Sequence, residues 1–308
     1  MESSSKANLI CILGPTASGK TAFAASLAHF LGGEILSADS RQVYRGMDIG
    51  TGKDYGDYKV GDSTVPYHLI DIVDAGSEYN VFEYQKDFYK AFSEIQGRGA
   101  IPIMCGGTGL YIEAVLKGYT LLQVPVNDEL RRELEAQSID YLIQRLKAFR
   151  NPHNTTDTII RKRLVRAIEI EEFLQINPSA VVAIPEIHPV IFGMHIDRDS
   201  RRARISLRLK QRLENGMIDE AKRLLSSGIP PEMLEFYGLE YKYLSRFVTG
   251  KISYDVMFSS LNIAIHQFAK RQMTWFRKME RDGTQINWIS SYLSTQEKID
   301  FVTMVLNQ

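Results

Sequence analysis

The first third of the chain alternates two apolar patterns. Short continuous apolar runs at 8–13, 34–38, 68–72 and 101–105 have the length and bounding turns of buried strands. Residues 22–28 read as a helix with an apolar face. Residues 81–96 read as an amphipathic helix, with Phe82, Tyr89, Phe92 and Ile95 among its apolar positions. Such alternation predicts a parallel sheet covered by helices. The pattern changes near residue 122. Residues 128–149 and 158–174 are rich in charge, helical in spacing and without a strand signal, which predicts a helical insertion. An apolar run at 190–196 predicts a return to the sheet. Long helices follow over 201–226 and 254–281, with Gly228-Ile229-Pro230-Pro231 as a break between them. The expected organisation is a core of residues 1–121 and 190–308 with an insertion at 122–189. There is no internal repeat or low-complexity tract.

The first strand runs into Gly14-Pro15-Thr16-Ala17-Ser18-Gly19-Lys20-Thr21, with the spacing G-x-x-x-x-G-K-[ST]. Strand, glycine loop and helix in that order make a phosphate cradle. Backbone amides point into the loop, the helix N-terminus adds positive potential, and Lys20 supplies a point charge. The Thr21 hydroxyl is a candidate metal ligand. The fold class expected is α/β, with a P-loop-type parallel sheet flanked by helices. In such sheets ligands sit at the carboxyl ends of the strands. Asp39 and the turn Gly106-Gly107-Thr108-Gly109 follow strand ends too, so loop, Asp39 and Thr108 should converge on one crevice.

Asp39 beside a phosphate loop reads as a metal ligand, a general base or a helix cap. After it, Gln42 can pair with an adenine edge, and Tyr44 can stack on a base or simply pack. Basic residues gather around Arg161-Lys162-Arg163 with Arg166, along Arg198, Arg201, Arg204, Arg208 and Arg212, and around Trp275-Phe276. Each alone reads as a solvated helix face. Three together with interleaved aromatics point to nucleic acid.

Composition narrows this little. Of 308 residues 44% are hydrophobic, enough for a sizeable core. Lys+Arg and Asp+Glu number 37 each, which excludes a polybasic protein but not local patches. The two cysteines, Cys11 and Cys105, fall in predicted buried strands, so no disulfide framework is expected and a reducing cytoplasm suits them. The six histidines show no paired spacing, so no zinc site is expected. No apolar run approaches a membrane span.

Over nearly its full length the chain resembles the tRNA dimethylallyltransferases. The likeness rests on Gly14 to Thr21, on Asp39-Ser40 with Gln42-Val43-Tyr44-Arg45-Gly46-Met47-Asp48-Ile49-Gly50-Thr51, and on Gly106 to Tyr111. It extends to Arg163 with Arg166-Ala167-Ile168-Glu169, to Arg198 with Arg204 and Arg208, and to Ala269-Lys270-Arg271-Gln272 with Thr274-Trp275-Phe276-Arg277. The resemblance implies transfer of a dimethylallyl group from dimethylallyl diphosphate to the exocyclic amine of the adenosine beside the tRNA anticodon. The loop (Gly14, Thr16, Ala17, Ser18, Gly19, Lys20, Thr21) would then hold the donor's diphosphate rather than a nucleoside triphosphate, with Mg2+ at Thr21. It further implies Asp39 as general base, Thr108 as its neighbour at the amine and Arg198 as a diphosphate clamp. The tRNA contacts implied are Asp39, Ser40, Arg41, Gln42, Thr108, Arg131, Lys162, Arg163, Leu164, Val165 and Arg166. A monomeric cytoplasmic enzyme working on the anticodon stem-loop is expected, with no membrane. The chain departs from the family's pattern at Tyr237-Gly238-Leu239-Glu240-Tyr241, at Asn151-Pro152, at Arg212 where Met is usual, and over 55–62. Rival readings are the same transfer onto free AMP or ADP, a kinase using the loop for ATP, and a non-catalytic RNA-binding switch. The basic insertion favours tRNA.

Overall fold

The computed structural model describes residues 7–119, 124–149, 160–177 and 184–308. Two compact units are present, Met1–Gly118 with Pro185–Gln308, and Tyr119–Ile184. The larger is built on one parallel sheet: β1 Leu9–Leu13, β2 Gly33–Ala38, β3 Tyr67–His68, β4 Ile101–Gly106, β5 Pro189–His195 and β6 Asn287–Ser290. The spatial order is β6-β5-β1-β4-β2-β3. Ile12 of β1 lies opposite Cys105 of β4 on one side and Phe192 of β5 on the other.

Every residue of β1 is buried, as a strand covered on both faces must be. The pleat divides its side chains between two cores. Ile10 and Ile12 join Phe23 and Leu27 of α1 (Lys20–Leu31). Leu9, Cys11 and Leu13 join Phe88, Phe92 and Ile95 of α2 (Val81–Gly97). α2 starts where it does because Asn80 and Glu83 form a reciprocal capping box. Helix α3 (Gly109–Leu116) follows β4.

The run at 68–72 is not a full strand. Only Tyr67–His68 pairs with β2, because Leu69 and Asp71 take φ of 65° and 55° and turn the chain out of the sheet. Buried Lys53 holds that turn. Its Nζ contacts the Asp71 carboxylate, lies 2.9 Å from Asp48 and donates to Tyr44 O at 2.6 Å.

The smaller unit is helical among its described residues: α4 Asp128–Glu135, α5 Ile139–Phe149 and α6 Arg161–Ile176. The predicted helix at 128–149 is therefore two. The start of the one at 158–174, and the departure at Asn151-Pro152, lie outside the described residues. Leu130, Leu134, Leu142, Leu146, Leu164 and Ile168 form the unit's core.

Back in the larger unit, the long helix expected over 201–226 is two helices. α7 (Arg198–Glu214) and α8 (Met217–Ser226) part at Gly216, which adopts φ 96°. α9 (Pro231–Phe236), α10 (Leu239–Val248), α11 (Tyr254–Arg281) and α12 (Thr295–Leu306) complete the chain. α12 lays Ile299 and Val302 on the same face of the sheet as α1.

Candidate active site

The phosphate loop has the geometry its sequence demands. Ala17 and Gly19 take φ of 62° and 78°, curling the backbone around a hollow. Gly19 caps α1 without any side-chain hydrogen bond, and no acidic residue stands in the first turn. The helix therefore offers unspent amides and an uncompensated dipole to an anion. The Ser18 hydroxyl is buried with no partner, as a donor awaiting an acceptor would be. Burial lowers the Lys20 ammonium from its ordinary range, against opposing pulls from groups that include Asp39.

The neighbouring strands β2 and β4 end side by side, Ala38 opposite Gly106, so the loops after them meet. Thr108 N donates to Ala38 O at 3.1 Å, and Ser40 N donates to Thr108 Oγ1 at 3.0 Å. Thr108 is the N-cap of α3, but its side chain makes no cap bond; the hydroxyl serves the Asp39–Ser40 turn instead. Asp39 Oδ1 accepts from the Arg41 amide at 2.9 Å. Gln42 is pinned at both ends, its Nε2 donating to Gly52 O (3.0 Å) and its Oε1 accepting from Ser37 Oγ (3.4 Å).

These elements line one cleft of about 610 Å³, which includes Thr16, Lys20, Thr21, Asp39, Ser40, Arg41, Gln42 and Thr108. Ala17 borders a separate cavity of about 20 Å³. Tyr44 does not reach the cleft. It is fully buried against Tyr237, ring centroids 4.4 Å apart, so it packs rather than stacks on a base. Arg198, the expected clamp, is an exposed residue at the start of α7 and is not among the lining residues. Arg208 and Arg212, further along the same helix, are.

Three further groups line the cleft; the sequence reading names them, in the family likeness or among its departures, without assigning them to the site. Gln272 of α11 accepts from Thr16 N at 2.9 Å and donates to Gly107 O at 2.9 Å. It thereby ties the phosphate loop to the turn before Thr108. Trp275 lines the cleft against Gly109, where a Cβ would collide with its ring. Glu240 brings a carboxyl that burial pushes up.

In the smaller unit Lys162 and Arg163 are exposed on α6. Leu164 and Val165 are 0% and 5% exposed and face the helical core. Arg131 and Arg166 are committed inward. Arg131 donates to Glu169 at 3.1 and 2.9 Å, and Arg166 contacts Glu169 and donates to Val124 O at 2.8 Å. Burial works to raise the Glu169 carboxyl, but bonds from Arg131, the Asn127 amide and Arg166 hold it below its usual range.

The profile of the IPP transferase family matches residues 42–279. The chain belongs to the IPP transferase family. The isopentenyl transferase profile also matches residues 7–60. A relative from Bacteroides fragilis named tRNA dimethylallyltransferase 2 is 55% identical over 98% of both chains. One from Geotalea uraniireducens, tRNA dimethylallyltransferase 1, is 56% identical over 92% of both. The crystal structure of full-length tRNA isopentenylpyrophosphate transferase from Bacillus halodurans superposes with a TM-score of 0.70 at 32% identity, covering 98% of this chain and 97% of that one. A eukaryotic dimethylallyltransferase acting on tRNA shares the fold, with a TM-score of 0.73 at 20% identity, covering 97% and 80%.

Among the described residues of this family member, no three His, Cys, Asp or Glu side chains gather to hold a metal by themselves. The donor set nevertheless fits Mg2+ arriving with a diphosphate. Thr21 and Asp39 offer hard oxygens in the cleft that also holds Lys20, and Mg2+ is commonly held by few protein ligands plus phosphate oxygens. No helix among the described residues is long and apolar enough to cross a membrane.

Proposed function

We propose that the chain transfers the dimethylallyl group of dimethylallyl diphosphate to the exocyclic amine of the adenosine next to the tRNA anticodon, in the cytoplasm and as a monomer. The observation that carries this reading is the junction of Asp39 and Thr108 beside the phosphate loop, in one cleft large enough for a base and a prenyl donor. Family membership supports it.

The amine is a poor nucleophile because its lone pair is delocalised into the ring. As its nitrogen bonds to the allylic carbon, Asp39 takes the proton that the nitrogen loses. Thr108 fixes the Asp39–Ser40 turn and stands at the amine. The carbon–oxygen bond to diphosphate breaks, and the departing group gains charge. Loop amides, Lys20 and Arg208 meet that charge, with Arg208 in the clamp role expected of Arg198. Thr21 would hold Mg2+, which when bound supplies further stabilisation of the leaving diphosphate. Reaching the base requires unstacking it from the anticodon loop. Exposed Lys162 and Arg163 would meet tRNA phosphates.

The test is to incubate labelled dimethylallyl diphosphate with bulk tRNA, AMP and ADP. Label is expected in tRNA alone. Preferential label in AMP or ADP overturns the acceptor assignment and keeps prenyl transfer. Phosphoryl transfer from ATP without prenyl transfer overturns both.

A further inference from the structure

We propose that Arg212 is a second guanidinium of the donor-diphosphate site, and that Asp54 holds it and Arg208 in place. The inference rests on the prenyl-transfer reading above. Arg208 and Arg212 are one turn apart on α7 and share a face. Both line the cleft with Lys20 and Thr21, and both also border the small cavity against Thr16 and Ala17. Two fixed cations therefore border the phosphate loop.

Their environment is not that of a casual surface pair. The Arg212 side chain is 15% exposed, and that of Arg208 33%. Burial, and then the Arg208 charge, work against the cationic form of Arg212. Two guanidiniums so placed repel, and holding them together has a cost that their surroundings must offset. The offset comes first from Asp54, with the Glu240 carboxyl acting on Arg212 in the same direction. Asp54 is paired with Arg208 Nη2 and lies 3.4 Å from Arg212 Nη2. Asp54 thus sits between the two guanidiniums and contacts both. Each guanidinium carries five N–H donors, far more than Asp54 can accept.

Backbone shape adds a second constraint. Gly52 adopts φ 75°, and a Cβ there would collide with the Arg212 guanidinium. The guanidinium thus lies directly on the Gly52 backbone, whose carbonyl accepts from Gln42. The loop that begins at Asp39 therefore ends by positioning the arginines. Fixed, part-buried guanidiniums beside a cradle of amides match a diphosphate, whose oxygens accept paired N–H bonds.

The test uses the full chain with Mg2+ and no tRNA. Titration calorimetry gives Kd for dimethylallyl diphosphate, with inorganic pyrophosphate as a probe of the head-group site alone. Variants are Arg212→Met, Arg212→Lys and Asp54→Asn, and tRNA affinity is measured in parallel. Arg212→Met should weaken both ligands about tenfold or more, as loss of charge-assisted bonds does. Arg212→Lys should recover part of this, and Asp54→Asn should weaken both ligands severalfold. tRNA affinity should stay within about twofold of the parent, since the substitutions leave the exposed charges of α6 untouched. Unchanged pyrophosphate affinity in Arg212→Met overturns the proposal. So does a parallel loss of tRNA affinity, which would assign Arg212 to the fold. Tighter donor binding in Asp54→Asn would make Asp54 a competitor for the arginines and overturn its positioning role. If the parent binds no dimethylallyl diphosphate and labels no tRNA, the prenyl-transfer reading itself falls.

Discussion

One Asp39 oxygen is committed to the Arg41 amide at 2.9 Å, a bond that an isosteric amide side chain can also accept. Asp39→Asn should therefore preserve the turn but remove the proton acceptor. Single-turnover transfer is expected to slow roughly a hundredfold or more, with tRNA affinity little changed. An unaltered rate removes Asp39 from the chemistry. Gln272 acts differently, by joining the Thr16 amide to the Gly107 carbonyl. Gln272→Ala leaves both groups without that partner and loosens the loop against Thr108. Donor KM should rise and kcat fall together, by about tenfold in kcat/KM; a normal kcat/KM would show that the bridge is dispensable. Lys20, Thr21, Asp39 and Thr108 were legible because strand, loop and helix signals lie within a few residues of each other. Gln272 falls in a stretch that carries the family resemblance, but its bridging role was not legible, since its partners are 256 and 165 residues away. The arginines show the same limit. Helical spacing finds a basic face on α7 but not which turn of it borders the cleft. Arg198 and Arg208 are ten residues apart, about 15 Å along the axis.

Elements were legible where one apolar pattern ran uninterrupted, as in β1, α2, β4, β5 and α11. They were missed where a tertiary contact overrides the pattern. The run at 68–72 is apolar enough for a strand, yet Lys53 draws Asp71 out of the sheet. α9, α10, β6 and α12 have short or mixed patterns, and their place depends on packing against elements far away in sequence. The loop after β2 is held by one such contact. Buried Glu220 of α8 accepts from the amides of Asp48, Ile49 and Gly50, each at 2.9 Å, and from Tyr241 Oη at 2.6 Å. Glu220→Ala strands three amides and should cost about 3 kcal/mol or more in denaturant unfolding. A loss under about 1 kcal/mol would mean that water replaces the carboxylate. The sheet edge has a pH-dependent contact. Arg98 bonds to Glu34 on β2 at 3.1 and 2.8 Å, and His68 on β3 lies 2.6 Å from it. The Arg98 bond above all, and then His68, hold the Glu34 carboxyl below its usual range, although burial opposes them. The folded state thus binds this proton less readily than the unfolded chain. The stabilisation is complete above the unfolded value of about 4.3 and is lost as pH falls through the lower folded value. The parent should melt above Glu34→Gln at pH 7, and the gap should close in acid. A gap that widens in acid refutes the linkage.

At the scale of the whole molecule, positive and negative charges balance at 37 each, so attraction to tRNA must come from local patches rather than net charge. The four basic residues of the smaller unit that the resemblance implies as tRNA contacts divide into two kinds. Arg131 and Arg166 are tied to Glu169, which is 2% exposed. Removing either leaves a buried carboxylate short of its partners, so the unit loses stability whatever tRNA does. Lys162 and Arg163 are exposed and can be changed without that cost. The informative variant is therefore Lys162→Ala with Arg163→Ala, leaving Arg166 in place. Neutralising a phosphate releases counterions, so the slope of log affinity against log salt should flatten by about 0.7 to 0.9 for each phosphate that is no longer neutralised. The double variant should bind tRNA more weakly at low salt and converge on the parent as salt rises. Its affinity for dimethylallyl diphosphate should match the parent's, because the cleft is untouched. Measured across a salt series, parallel lines for parent and variant would show that α6 does not meet the tRNA backbone. If the parent also labels AMP in preference to tRNA, the acceptor is the free nucleotide and the exposed charges of α6 serve some other purpose.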